Sequence, residues 1–191
     1  ELVTELLQYF QEDVDLAKIE ATALYAGIVV DTKNFAVQTG VRTFDAASYL
    51  RRCGADPDIV RDLFSCDFDT VKDRAAILSG ARIKDGIAVA SCPKGQANAM
   101  IIAAQAADAL VNIDKVEASF TFYYLDDGYI GVSARSRGDI NVQLVMEAIG
   151  GGGHRTVAGA QVKGRTMEEA QDVVMAALRE TLDKNKEIDE K

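Results

Sequence analysis

The chain has 191 residues, 48% hydrophobic and 27% charged, with a formal net charge of −9 at pH 7. That is the composition of a globular protein with a sizeable core, either one large domain or two small ones. The acidity disfavours a groove for a long polyanion, which needs clustered Lys and Arg to release counterions; a small anionic ligand needs only a few cations and N–H groups.

Residues 1–10 place Leu2, Leu6 and Phe10 on one helical face. Asp13 or Asp15 is the expected cap of a second helix carrying Leu16, Ile19, Ala23 and Ala26, which runs into Gly27-Ile28-Val29-Val30-Asp31-Thr32. Asp31 closes an apolar segment. Its carboxylate either emerges into solvent or is held there for use, because a charge resists burial. Thr43 is placed to cap a helix over 44–52, with Gly54 ending it. Asp56-Pro57 starts the next helix, over 57–64. A more polar helix over 67–82 reads as a connector, closed by the turn Lys84-Asp85-Gly86.

From Gly86 the periodicity changes. A strand is expected over 87–91 and a largely apolar helix over 96–111. Residues 115–124 alternate, with Val116, Ala118, Phe120, Phe122 and Tyr124 opposite Glu117, Ser119, Thr121 and Tyr123. Asp126-Asp127-Gly128 turns the chain into a return strand with Ile130, Val132 and Ala134 on one face and Gly131, Ser133 and Arg135 on the other. Asp139 is the expected cap of a helix over 140–149, which stops at Gly150-Gly151-Gly152-Gly153-His154. A strand over 156–162 follows. Thr166 and Glu169 form a capping box for a last helix, and a frayed tail is expected from Asn185. The three cysteines (Cys53, Cys66, Cys92) lack metal-ligand spacing and read as free thiols of a reducing compartment.

The second half gathers the chemistry. The glycine run is either a flexible linker or a built turn; its flanking helix and strand patterns favour the turn. Successive N–H groups in such a turn can cradle an anion, and His154, the only histidine, adds a donor at its rim. Ser133, Arg135 and Ser136 leave a strand, and Asn141 and Gln143 open the next helix. Arginine suits phosphate through its planar fork. Arg135 and Arg137 can equally lie in a solvated turn paired with Asp139. There is no zinc set, no nucleophile elbow and no Gly-Lys-Ser/Thr phosphate loop. Asp31 alone cannot hold a divalent cation tightly. From the residues, the chain binds something anionic without a full catalytic apparatus.

At these motifs the chain resembles the DHH phosphoesterase superfamily. Gly27-Ile28-Val29-Val30-Asp31-Thr32-Lys33-Asn34-Phe35, with Thr39 and Thr43-Phe44-Asp45-Ala46-Ala47, looks like its last metal-binding motif. Gly151-Gly152-Gly153-His154 looks like the signature of the DHH-associated substrate domain, and Ser133-Ala134-Arg135-Ser136 like its serine–arginine motif. Residues 133–153, with Gly138-Asp139-Ile140-Asn141-Val142-Gln143 inside them, are similar to cyclic-di-AMP phosphodiesterases of the GdpP/YybT type.

The resemblance implies an α/β chain: a helical remnant of the catalytic domain over 1–66, a linker helix over 67–84, and over 85–191 a substrate-binding domain with a mixed sheet flanked by helices. It implies Asp31 as a metal ligand in a two-manganese phosphodiesterase. Ser133, Arg135, Ser136, Asn141, Gly151, Gly152, Gly153 and His154 become substrate-binding residues for a cyclic dinucleotide or short oligonucleotide. The Asp-His-His triplet is missing from the chain. The chain, which starts without Met in an acidic amphipathic segment, therefore reads as an excised fragment that binds manganese weakly or not at all and hydrolyses nothing alone. A homodimer is expected, on the cytoplasmic side of a bacterial enzyme anchored by upstream spans. The alternatives are an oligoribonuclease/pAp phosphatase of the same superfamily, a nucleic-acid-binding module without chemistry, or a dimerisation domain.

Overall fold

Four helices form the first part of the chain: α1 (Leu2–Tyr9), α2 (Lys18–Asp31), α3 (Val41–Arg52) and α4 (Pro57–Leu63). The computed structural model describes residues 1–10, 16–163 and 166–189, which fall into two units, Glu1–Cys66 and Asp67–Lys191. The expected caps Asp13 and Asp15 lie outside the described residues. At the start of α2 the Glu20 carboxylate accepts the Ala17 N–H at 2.9 Å.

The buried stripe of α2 differs in phase from the expected one. Ala21, Thr22, Ala26 and Ile28 are buried, whereas Ile19 is 67% exposed. Thr22 can be buried because its hydroxyl is satisfied: it donates to the Lys18 carbonyl at 2.7 Å and accepts from the Asp56 N–H at 3.1 Å. Leu2 and Leu6 of α1 and Phe10 just after it are exposed, and Thr4 is the buried residue of the helix. Helix α3 begins at Val41, earlier than expected, with Gly40 as its cap; Thr43 lies in the first turn and accepts the Gly40 N–H at 3.1 Å. Asp56 caps α4, accepting from the Asp58 N–H. Tyr49, Leu50, Ala46, Ala55, Ala21 and Ile28 form the core of this unit.

The second unit begins with α5 (Phe68–Ser79), capped by Asp67. Six strands follow: β1 (Arg82–Lys84), β2 (Ile87–Ser91), β3 (Ala118–Tyr124), β4 (Tyr129–Ser136), β5 (Gly152–His154) and β6 (Val157–Lys163). They form one sheet in the order β1-β2-β3-β4-β6-β5. Only β2 and β3 run parallel, joined by the crossover helix α6 (Ala99–Val111); the other pairs are antiparallel. With α7 (Val142–Glu147) and α8 (Met167–Asp189) on the other face, this is the expected mixed sheet flanked by helices.

Strand β1 was not foreseen. Its three residues are exposed and give no alternation to read, and Asp85-Gly86, both at positive φ (50° and 76°), join it to β2. Phe120, Phe122, Val132 and Ala134 bury one face of the sheet against α7 and α8. The opposite face of β3, expected to be polar, is buried as well, under α5 and α6. Fully buried Ala103, Ala106 and Ala107 let α6 approach closely, and Ser119 donates to the Ala107 carbonyl at 2.7 Å. Thr166 and Glu169 make the expected capping box, and α8 continues to Asp189, past the expected end at Asn185.

Candidate functional site

Strand register assembles the site. Ser133 of β4 pairs with Gly159 of β6, and Gly159 with Gly152 of the edge strand β5. Side chains alternate with period two, so rows on one face step by about 7 Å along the strands. The next row on the same face is Arg135, Val157 and His154; in the other direction come Gly131 with Gln161, then Tyr129 with Lys163. Helix α6 covers this face over β2, β3 and β4. Over β6 and β5 it is open, with Val157, Gln161, Lys163 and His154 exposed. A cavity of about 450 Å³ opens here, lined by Tyr123, Tyr129, Ser133, Gly151, Gly159 and Gln161 among others.

The glycine run has three separate tasks. Gly150 (φ +83°) ends α7: its N–H donates to the Glu147 carbonyl, and the Gly151 N–H to Met146 at 2.8 Å. Those two N–H groups are therefore spent on the helix end and do not cradle an anion. Gly152-Gly153-His154 is a strand, so the expected turn is confined to the first two glycines. A Cβ at Gly151 would lie 2.3 Å from the Gly159 carbonyl oxygen, and one at Gly153 2.5 Å from the Ala158 Cα. The close approach of β6 thus demands glycine at both. Gly152 is different, because a Cβ there would meet nothing within 4 Å. Packing gives no reason for that glycine, and its lack of a side chain leaves the sheet face flat there.

Arg135 is half-held by its own fold. Its Nε donates to Asp108 of α6 at 3.1 Å and its Nη1 to the Ala134 carbonyl at 3.0 Å, with the side chain 12% exposed. Asp108, rather than Asp139, is its acidic partner. Arg137 caps α6, its Nε and Nη2 donating to the Val111 and Ile113 carbonyls, each at 2.9 Å. Asn141 replaces Asp139 as the cap of α7, its Oδ1 accepting the Gln143 and Leu144 N–H groups. Ser136 falls on the opposite face from Ser133 and donates to the Arg155 carbonyl at 3.4 Å. That carbonyl also accepts the Val142 N–H at 3.0 Å. Ser136 and α7 thereby fix the residue after His154. Of the expected set, then, Ser133, Arg135, Gly152 and His154 share one face with Gly151 beside them, whereas Ser136, Asn141 and Gly153 support it from behind.

Sequence reasoning missed Tyr123, Tyr129, Gly159 and Gln161. A glycine inside a strand pattern was the available signal. Tyr123 lies across Gly131, where a Cβ would sit 2.3 Å from its ring.

Asp31 ends α2 in the first unit and lines a separate cavity of about 450 Å³ with Gly27, Ile28, Thr32 and Glu1. Gly27 and Asp31, four residues apart, share a helix face. Lys33, Asn34 and Phe35 follow at φ of 47°, 59° and 62°. Such a left-handed run costs about 1–3 kcal/mol per residue and is held by its surroundings: the Asn34 N–H reaches the Val29 carbonyl at 2.7 Å and the Phe35 ring stacks on Phe44. Among the described residues no three His, Cys, Asp or Glu side chains gather. Among the described residues Glu1 is the other carboxylate lining this cavity, and it accepts from the Thr43 hydroxyl. A manganese ion takes several oxygen ligands in regular geometry; the described residues here do not fit a pair of such ions.

The profile of the DHHA1 domain matches residues 84–182, just over half of the 191. Cyclic-di-AMP phosphodiesterase PdeA of Listeria monocytogenes is 46% identical over 179 residues, 93% of this chain and 27% of that protein. Cyclic-di-AMP phosphodiesterase GdpP of Geobacillus thermodenitrificans is 46% identical over 189 residues, 98% of this chain and 29% of that protein. The chain thus spans less than a third of the length of these relatives. A crystal structure of an exopolyphosphatase-related protein from Bacteroides fragilis shares the fold, with a TM-score of 0.81 at 22% identity, over 94% of this chain and 55% of that one. By the span of the domain match, this chain belongs to the DHHA1-domain family.

Proposed function

We propose that this chain is the substrate-binding part of a phosphodiesterase that hydrolyses cyclic di-adenosine dinucleotides, cyclic-di-AMP to linear pApA. The observation that carries the reading is the Ser133–Gly159–Gly152 row, in which the buried Ser133 and half-buried Gly159 line the cavity, with His154 and Arg135 one step along the same face. It agrees with the 46% identity to two proteins named for that activity.

A bridging phosphodiester suits this floor. The glycines let it approach the backbone, the Ser133 hydroxyl donates to one non-bridging oxygen, and the His154 imidazole donates to another. Arg135, oriented by Asp108, supplies positive potential beside them. The resemblance to DHH phosphoesterases implies two manganese ions, which when bound would activate the attacking water. Asp31 would be one ligand to them, the remaining ligands being supplied from outside the described residues, and the proposed membrane anchor likewise is no part of these residues. Among the described residues no helix is long and apolar enough to cross a membrane. A homodimer facing the cytoplasm is part of the same proposal.

The test is calorimetry of the chain with cyclic-di-AMP and pApA, alongside hydrolysis assays with added manganese. Binding of both without turnover is expected. Clear turnover by the 191-residue chain would contradict its role as a binding part, and absence of dinucleotide binding would remove the substrate assignment.

A further inference from the structure

The floor continues past the phosphate row, and its far end has no role in the reading above. Two rows of side chains occupy it: Gly131 with Gln161, and Tyr129 with Lys163. They begin one step of about 7 Å from Ser133. That is the distance scale separating a nucleotide's phosphate from its base. The Gln161 carboxamide is exposed and has no protein partner among the described residues. Tyr123, almost fully buried, fills the space above Gly131 with its ring. Tyr129 is half-buried and held by the Lys163 ammonium, 5.5 Å from its ring centre. The cavity joins all three side chains to Ser133 and Gly151.

Resting on the proposed dinucleotide activity, we infer that Gln161 reads the adenine edge of the bound nucleotide, with Tyr129 as the wall against which the base lies. The chemistry follows from donor and acceptor order. A carboxamide offers one donor and one acceptor side by side, which matches adenine N7 and N6. The same edge of guanine offers two acceptors, so the Gln161 oxygen faces guanine O6 without a hydrogen. An arginine, with two donors, makes the opposite match. Gln161 and Tyr129 are thus specificity-determining residues at the base end of a site whose phosphate end is Ser133 and His154.

The test is calorimetry of the full chain with pApA and pGpG, comparing wild type, Gln161→Ala, Gln161→Arg, Tyr129→Leu and His154→Ala. Gln161 is exposed, so its variants fold. Wild type is expected to prefer pApA. Gln161→Ala should lose about tenfold in affinity for pApA with little change for pGpG, and Gln161→Arg should shift the preference toward pGpG. Tyr129→Leu should weaken both ligands, and His154→Ala should weaken both while keeping their ratio. An unchanged pApA-to-pGpG ratio in both Gln161 variants, with wild type still binding, overturns this inference and leaves the dinucleotide reading standing. Failure of wild type to bind either dinucleotide overturns both.

Discussion

At the scale of single residues, the glycine run separates packing from function. Gly153 sits at φ +145° with no room for a methyl group against Ala158. Gly153→Ala should therefore destabilise the chain by about 2 kcal/mol or more in urea denaturation. Gly152→Ala should change stability by less than about 0.5 kcal/mol, because it meets nothing, and should weaken dinucleotide binding instead. Equal destabilisation by the two would remove Gly152 from the floor. Cys92 makes a second prediction. Burial pushes its thiol up to about 11, from an ordinary value of 9. The neutral thiol is favoured in the folded state, so its contribution is fully present below pH 9 and is lost as pH rises from 9 through 11. Denaturation midpoints should fall over that window, and Cys92→Ala should flatten the fall. Exposed Cys66 should alkylate at pH 8 while Cys92 does not.

At the scale of elements, Arg137 and Arg135 show how similar residues divide. Arg137 closes the end of α6 through two carbonyls. Arg137→Ala should cost about 1–3 kcal/mol of stability in urea and leave dinucleotide affinity unchanged. Loss of affinity at unchanged stability would place it in the site instead. This division was not legible in the sequence, since both arginines fall within three residues at a strand end. Only the three-dimensional position of α6 assigns Asp108 to one and the Val111 and Ile113 carbonyls to the other. What was legible came from local chemistry: the Asp56-Pro57 helix start, the Thr166–Glu169 box, and the alternation that paired Ser133 with Arg135 on one face. The misses have a common cause. The stripe of α2 and the burial of Ser119 depend on which polar side chains find partners inside, and periodicity does not report that. Gly152-Gly153-His154 likewise became a strand through β6, a partner supplied by tertiary structure.

At the scale of the whole molecule, the proposed binding face and the Asp31 segment fall in different units. The open sheet face lies in the unit Asp67–Lys191 and Asp31 in Glu1–Cys66. Among the described residues neither unit gathers a metal-binding cluster. The account's central claim is therefore that this chain grips a dinucleotide phosphate on the face formed by Ser133, Gly152 and His154. The most direct measurement is calorimetry of cyclic-di-AMP with wild type and His154→Ala, the exposed member whose replacement disturbs no packing. The account predicts a loss of about tenfold or more in affinity, at unchanged stability, for one charge-assisted hydrogen bond. Binding of equal strength in the two proteins would contradict it.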